Sequence, residues 1–320
     1  MQGMDGDYTE VSVAGSTLRV PSAEVNGKTI IVTGGWLKIA AIKGEDWEEA
    51  ESGPIAHQFL ANVEQQRDLR ADILTFAQKP NDPIPRFHFY YEWDSVAAIP
   101  IVSFSDWWTN RVSTDLRRDV RRATKRGVVV QLVSFTDDLV RAIMNIYDET
   151  PIRQGRPFWH YKKSFDAVKL ANATYLERSD FLGAFVGDEL VGFLKIVYVN
   201  SLARLMQIIS KEACRDRRPM NALIAKAVEV CSARGSSHLT YGKFRYPQGV
   251  DSLTAFKQRN GFQEILVPKY YVPLTAKGKV ALLFRLQGGA RALMPNPLLR
   301  AARRLRTVIY EYSKVTWKAS

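Results

Sequence analysis

Cysteine is scarce in this 320-residue chain: Cys214 and Cys231 are the only two. On their own they form neither a disulfide framework nor a zinc site, and a reducing compartment such as the cytoplasm is expected. Histidine is also sparse. His57, His88, His160 and His238 are dispersed, with no H-x-E, H-E-x-x-H or C-x-x-C spacing, so no metal site is expected. No apolar run approaches the roughly 18 residues of a membrane span, because Lys38 interrupts the run 36–42 and Lys195 the run 191–199. The first ten residues are acidic and lack an apolar core, so no signal peptide is expected. Gly34-Gly35 lacks the G-x-G-x-x-G spacing and opens no helix, and neither a Walker loop nor a G-x-S-x-G elbow occurs.

What the chain has in plenty is aromatic and basic side chains. With 46% hydrophobic residues, 7 Trp, 13 Tyr and 15 Phe, it can bury one large core or two medium ones, and disorder is excluded. Lys and Arg number 45 against 33 Asp and Glu, a net charge of +12. An excess of that size points to an anionic partner: nucleic acid, an anionic membrane or a phosphorylated substrate.

That charge is concentrated in two places. Ser113 can cap a helix in which Leu116, Val120 and Ala123 share one face and Gly127 takes the C′ position. Arg111, Arg117, Arg118, Arg121, Arg122, Lys125 and Arg126 load this helix against Asp115 and Asp119 only, and clustered guanidinium groups make good phosphate forks. The second concentration is 286–320, where Leu298, Leu299, Ala302, Leu305, Val308 and Ile309 recur at helical spacing among arginines. Three fates are open for this tail: docking on the body, contact with an anionic membrane through residues 290–320, or RNA binding.

Between these regions the periodicities predict hairpins around Gly15-Ser16 and Gly34-Gly35, a helix over 55–69, and strands at 72–77, 87–93 and 96–102. A strand at 128–133 and a helix at 137–147 follow, then an irregular polar-aromatic stretch at 150–160 and a helix from Ser164 to about 176. Strands at 181–186, 190–199 and 202–210 lead to a helix opened by Pro219 and stopped by Gly235, then a strand at 239–243, a helix at 252–259 and a strand at 262–272.

The order strand, strand, strand, helix, strand over 181–243, closed by a short helix ending in Asn260-Gly261-Phe262, resembles the GNAT acyltransferase fold. The Phe256-Lys257 pair in that last helix, and the pattern Leu-Arg-Arg-Asp-Val-Arg-Arg-Ala-Thr-Lys-Arg-Gly-Val ending at Val128, narrow the likeness to the Fem-type (FemABX-like) aminoacyltransferases. The resemblance implies an α+β fold with a mixed, mostly antiparallel sheet flanked by helices in two lobes. Residues 1–127 would form an N-terminal lobe, a degenerate copy of the fold ending in the basic helix; 128–275 the catalytic lobe; and 276–320 the basic tail.

The resemblance also assigns roles. The donor would lie on Ile209 and Ser210 and on the turn bearing Arg215, Arg217, Arg218 and Asn221, with Phe256 beside it. The acyl-CoA pattern Gln/Arg-x-x-Gly-x-Gly/Ala is broken: Arg218 and Met220 stand where glycines let a pyrophosphate approach. This departure fits the Fem-type branch, whose donor is a charged tRNA. Lys257 replaces the tyrosine acid of many GNAT enzymes and would stabilise the developing oxyanion, with Tyr241, Tyr246 or His160 as the proton-transfer group. Arg153, Arg156, Phe158, Trp159 and Lys243 are candidates for acceptor binding. The implied activity is transfer of an acyl or aminoacyl group to an amine on a cell-envelope or polysaccharide precursor, in the cytoplasm or at the membrane's inner face. The rivals are an acetyl-CoA-dependent N-acetyltransferase and a non-enzymatic RNA- or membrane-binding module.

Overall fold

The computed structural model describes residues 7–13, 16–49, 57–66, 69–153, 155–246 and 251–288. The basic tail expected over 290–320 lies outside them. The N-terminal half opens with β1 (Tyr8–Val13), β2 (Ser16–Val25), β3 (Lys28–Thr33) and β4 (Ile39–Ile42), continues through α1 (His57–Gln65) to β5 (Ile73–Ala77), and ends in β6 (Tyr90–Pro100). A short helical turn, α2 (Phe104–Asp106), runs into a π-type turn at Trp107–Arg111, followed by the basic helix α3 (Thr114–Lys125). The second half contains β7 (Val128–Val133), α4 (Asp137–Tyr147), the two-residue strands β8 (Ile152–Arg153) and β9 (Arg156–Pro157), and α5 (Phe165–Asn172). Then come β10 (Ser179–Val186), β11 (Glu189–Val199), β12 (Leu202–Ser210), α6 (Pro219–Ala233), β13 (His238–Lys243), α7 (Asp251–Arg259), β14 (Gln263–Pro273) and α8 (Ala276–Leu283).

Local signals account for most of these boundaries. The hydroxyls of Ser113, Thr136, Ser164 and Thr275 each accept a first-turn N–H and start α3, α4, α5 and α8. Pro219 occupies N1 of α6, where its missing N–H has no role to fill. Gly127, at φ 78°, lets the chain turn from α3 into β7. Two expectations change. The strands read at 87–93 and 96–102 are one strand, β6, because β14 pairs through Asp94 and Ser95 without interruption. The stretch 150–160 is partly ordered as the β8–β9 ribbon, and α5 stops at Asn172.

Twelve strands form one sheet, in the order β1-β2-β3-β4-β5-β14-β6-β13-β12-β11-β10-β7. Its two halves follow one plan. Antiparallel strands lead to a parallel pair joined through a helix: β4–α1–β5 in the first half, β12–α6–β13 in the second. The halves also exchange strands. β14 lies between β5 and β6, whereas β6 lies between β14 and β13. The boundary expected at 127 therefore divides the sequence but not the sheet. One core packs α3 and α6 against β10–β13, a second packs α1 against β3–β5, and a third packs α4 and α5 on the other face.

The two parallel pairs end differently among the described residues. In the first half, the Glu45 carboxylate closes the gap beyond β4 and β5 by accepting the Ala77 N–H at 2.8 Å, and burial pushes its pKa up to about 7. The neighbouring Asp46 pairs with Arg204 of β12 at 2.5 Å, and Arg178 donates to the Trp47 carbonyl at 2.7 Å, which fastens this closed end to the second half. In that second half, β12 and β13 pair only at Leu202–Arg204 with His238–Thr240 and then diverge, with a bulge in the β11–β12 ladder beyond Lys195.

Helix α8 seals the opposite face of the first half. A Cβ on Gly278 would sit 2.0 Å from the Asp72 carbonyl oxygen, so the helix approaches β5 as only glycine allows. Gly278→Ala is expected to destabilise the protein by about 1–3 kcal/mol through overpacking, read as a lower denaturation midpoint; an unchanged midpoint would contradict this packing.

Candidate active site

The diverging ends of β12 and β13 form the walls of a cavity of about 620 Å³, floored by α7 and the N-terminus of α6. The turn from β12 into α6 is a 3-10 segment, Glu212–Arg217, followed by Arg218 in the left-handed region at φ 62°. A glycine would hold that conformation freely; here an arginine holds it. The Arg218 guanidinium Nε lies 3.4 Å from Asp119 of α3. Arg126 of α3 pairs with Asp216, and Arg217 donates to the Arg126 carbonyl at 3.0 Å. The turn is thus bolted to the basic helix. The outer face of α3 forms a second cavity of about 600 Å³, lined by Thr114, Arg117, Arg118, Arg121, Arg122, Lys125 and Arg126.

Of the residues singled out in the sequence, Ile209, Ser210, Arg215, Arg218, Asn221, Tyr241 and Phe256 meet at the cavity, as do Arg153, Phe158 and Trp159 from the β8–β9 region. Arg153 serves the wall rather than the opening. It donates to the carbonyls of Ser210 at 2.8 Å and Ile146 at 2.9 Å, and to Glu149 at 3.2 Å. Glu149 in turn accepts the N–H groups of Glu212 at 2.6 Å and Ala213 at 2.9 Å, so one ion pair shapes the start of the donor-side turn. Asn221 donates to the buried Asn260 at 3.0 Å and ties α6 to the end of α7.

Other expected residues lie elsewhere. Lys257 is fully buried beneath the cavity and does not line it. Its ammonium donates to the carbonyls of Tyr241 at 2.7 Å and Lys243 at 2.6 Å and to the Tyr246 hydroxyl at 3.3 Å, and it sits 4.4 Å from the Tyr241 ring centre. Burial lowers its pKa to about 8. Its three hydrogen-bond donors are thus engaged by backbone and phenol. Tyr246 is held on the far side of Lys257, and Lys243 makes a surface ion pair with Asp94 at 2.8 Å. His160 packs against Tyr147 and Trp159 outside the cavity lining, and burial lowers its pKa to about 4, leaving it neutral and weakly basic. The Arg156 backbone pairs with Arg153 in the ribbon.

Tyr241 stands at the cavity with its phenol pushed up to about 12 by burial, hence protonated at neutral pH. Sequence reasoning missed Asp119, Arg259 and Asn260, which also line the cavity. Arg259 and Asn260 directly precede the Gly261-Phe262 ending already recognised, and their spacing of three and four residues from Phe256, which shares the cavity, is the available signal. Among the described residues no cluster of His, Cys, Asp or Glu could hold a metal ion.

The burial of Lys257 carries a pH signature. The folded group titrates at about 8 and an unfolded lysine at about 10.4. Between these values the unfolded chain binds more protons, so this group's contribution to folding stability rises with pH; the burial penalty is complete below pH 8. Lys257→Met, which leaves two buried carbonyls without a donor, is expected to cost about 1–3 kcal/mol at pH 7. Urea denaturation should show the wild type's advantage widening from pH 7 to pH 10. An advantage independent of pH would show that Lys257 is not buried as an ammonium.

No family model matches the chain, and no curated protein matches it. Solved structures do. The C-terminal DUF2156 domain of an Agrobacterium fabrum protein named as a lysylphosphatidylglycerol synthetase aligns at TM-score 0.53 and 14% identity, over 82% of this chain and 87% of that one. L-PGS from Bacillus licheniformis aligns at 0.52 and 12%, covering 83% and 88%. FemX aligns at 0.52 and 10%, covering 86% and 90%. The chain shares the fold of these proteins, a mixed, mostly antiparallel sheet flanked by helices.

Proposed function

We propose that the protein is an acyltransferase that moves an aminoacyl group from a charged tRNA to an amine. The observation that carries this reading is the turn at Arg218. A loop shaped for a CoA pyrophosphate offers free backbone N–H groups at a helix N-terminus. Here Arg218 fills that approach, its own N–H is bonded to the Arg215 carbonyl at 3.2 Å, and the turn is fixed by side chains to the cationic face of α3. A cavity whose rim is tied to an arginine-rich helix suits a polyanion entering with its acylated end foremost.

In this reading the acceptor amine attacks the ester carbonyl, an oxyanion forms, and the C–O bond to the tRNA ribose breaks as the amide forms. Arg215 and Arg259 at the cavity lend positive potential to the oxyanion and the nearby phosphate. The protonated Tyr241 phenol supplies a proton to the leaving ribose oxygen, and the phenolate takes back the proton that the attacking amine sheds as the amide forms. Lys257 acts as a positioning residue: it fixes the end of β13 and the Tyr241 backbone. In this reading the acceptor is an amine on a cell-envelope or polysaccharide precursor. Transfer from acetyl-CoA is the second reading, favoured by the open gap between β12 and β13, along whose unpaired edges a pantetheine amide chain fits.

Aminoacyl-tRNA at about 100 times its dissociation constant should stabilise the protein by roughly 2.7 kcal/mol, and acetyl-CoA should not. The reverse result would establish the second reading; no shift with either would remove both. Replacing Arg121 and Arg122 with Ala should make the salt dependence of tRNA binding shallower, by roughly 0.7–0.9 in log–log slope for each phosphate no longer neutralised. Tyr241→Phe should lower kcat about 10²-fold or more at unchanged KM.

A further inference from the structure

Helix α8 is apolar on both sides. Gly278, Ala281 and Leu282 are buried, the latter two in a cluster with Ile73 and Tyr271. Val280, Leu283 and Phe284, spaced i, i+3, i+4, form the opposite stripe and are 53%, 78% and 64% exposed. A helix that is apolar all round is ordinarily covered all round. Trp36, 66% exposed, stands beside this one, with the Lys277 ammonium 5.4 Å from its ring centre.

Lys279 and Arg285 flank the stripe, as does Lys277, whose ammonium also pairs with Asp72 at 2.8 Å; residues 276–288 contain no acidic side chain, and Gln287 takes up the nearby Glu92 at 2.6 Å. Its place in the fold is also fixed. β13 and β14 both run antiparallel to β6, and β12 runs parallel to β13, so β14 ends at the edge of the sheet toward which the β12–β13 cleft opens. Helix α8 follows directly from that end.

We propose that the exposed face of α8, together with Trp36, docks the protein on an anionic lipid membrane. Charge selects this occupant. A second copy of the chain, related by a twofold axis, would set the same cationic rim against itself. The following residues 289–320 carry seven lysines and arginines against Glu311 alone, so they would meet the rim with like charge. An anionic bilayer accepts both parts of the surface: acyl chains take the leucine and phenylalanine, the interface takes the tryptophan, and the headgroups take the lysines and Arg285. The close seat of Gly278 against Asp72 holds the helix rigidly for this purpose. No helix among the described residues is long and apolar enough to cross a membrane, so the contact is peripheral. This inference stands independently of the choice of acyl donor.

The test is co-sedimentation of the full chain with vesicles of phosphatidylglycerol and phosphatidylcholine, and with phosphatidylcholine alone. Wild type should bind the anionic vesicles. The double variant Leu283→Glu, Phe284→Glu should bind them about tenfold or more weakly, with an unchanged melting temperature. Tryptophan quenching by brominated acyl chains should fall in Trp36→Phe. Equal binding by wild type and double variant, or no binding by either, would overturn the proposal. A lower oligomeric state in the variant would also overturn it, by showing that a second copy covers the face. A large loss of melting temperature without lipid would do so as well, by showing that the chain covers it itself.

Discussion

The ladder between β6 and β14 is the contact on which the rest of the molecule depends. It runs from Gln263 with Ala98 to Tyr271 with Tyr90 and joins the two halves at the centre of the sheet. Because β14 lies between two strands of the first half and β6 between two strands of the second, neither half completes its own sheet. Pulling them apart would strip the ladders of β5 with β14 and β13 with β6 as well. Buried backbone groups left without partners make such a separation strongly unfavourable. The cleft inherits this dependence: its β13 wall is backed by a strand from the other end of the chain.

Two fully buried lysines show how the fold handles its irregular ends. Lys195 donates to the Asn172 and Thr174 carbonyls beyond α5, and Lys257 to those of Tyr241 and Lys243 at the end of β13. In both, burial lowers the pKa to about 8. A long side chain with three donors suits places where the regular ladder stops and several carbonyls point inward at once. The energetic balance is narrow: desolvating an ammonium is unfavourable, but leaving the carbonyls unpaired is unfavourable too. Lys257 thereby ties α7 to the end of β13, while its neighbour Phe256 and Tyr241 line the cavity.

The turn before α6 sets what can enter the cleft. Glu149 and Arg153 hold its first residues, Asp216 and Asp119 hold its last to α3, and Arg218 takes a backbone conformation that a residue with a Cβ rarely adopts. Fixing a turn to a helix with an arginine-rich face couples the geometry of the cavity to that of a strongly cationic surface.

The local elements were legible in the amino-acid sequence. Ser113 and Ser164 cap their helices, Pro219 opens α6, and the turn residues Gly187-Asp188 and Asn200-Ser201 separate the apolar runs that become β10, β11 and β12. These signals are short-range, decided by propensities and turn chemistry within a few residues. The break expected at Asp94-Ser95 was overridden because a ladder partner more than 160 residues away pairs straight through it. Tertiary packing alone buried Lys257, left α8 with an uncovered apolar face, and brought Asp119 of α3 and Arg259 of α7 to one cavity. Sequence periodicity tells which residues share a face. Whether that face meets core, cleft or solvent is set by elements distant along the chain, and only the assembled sheet decides it.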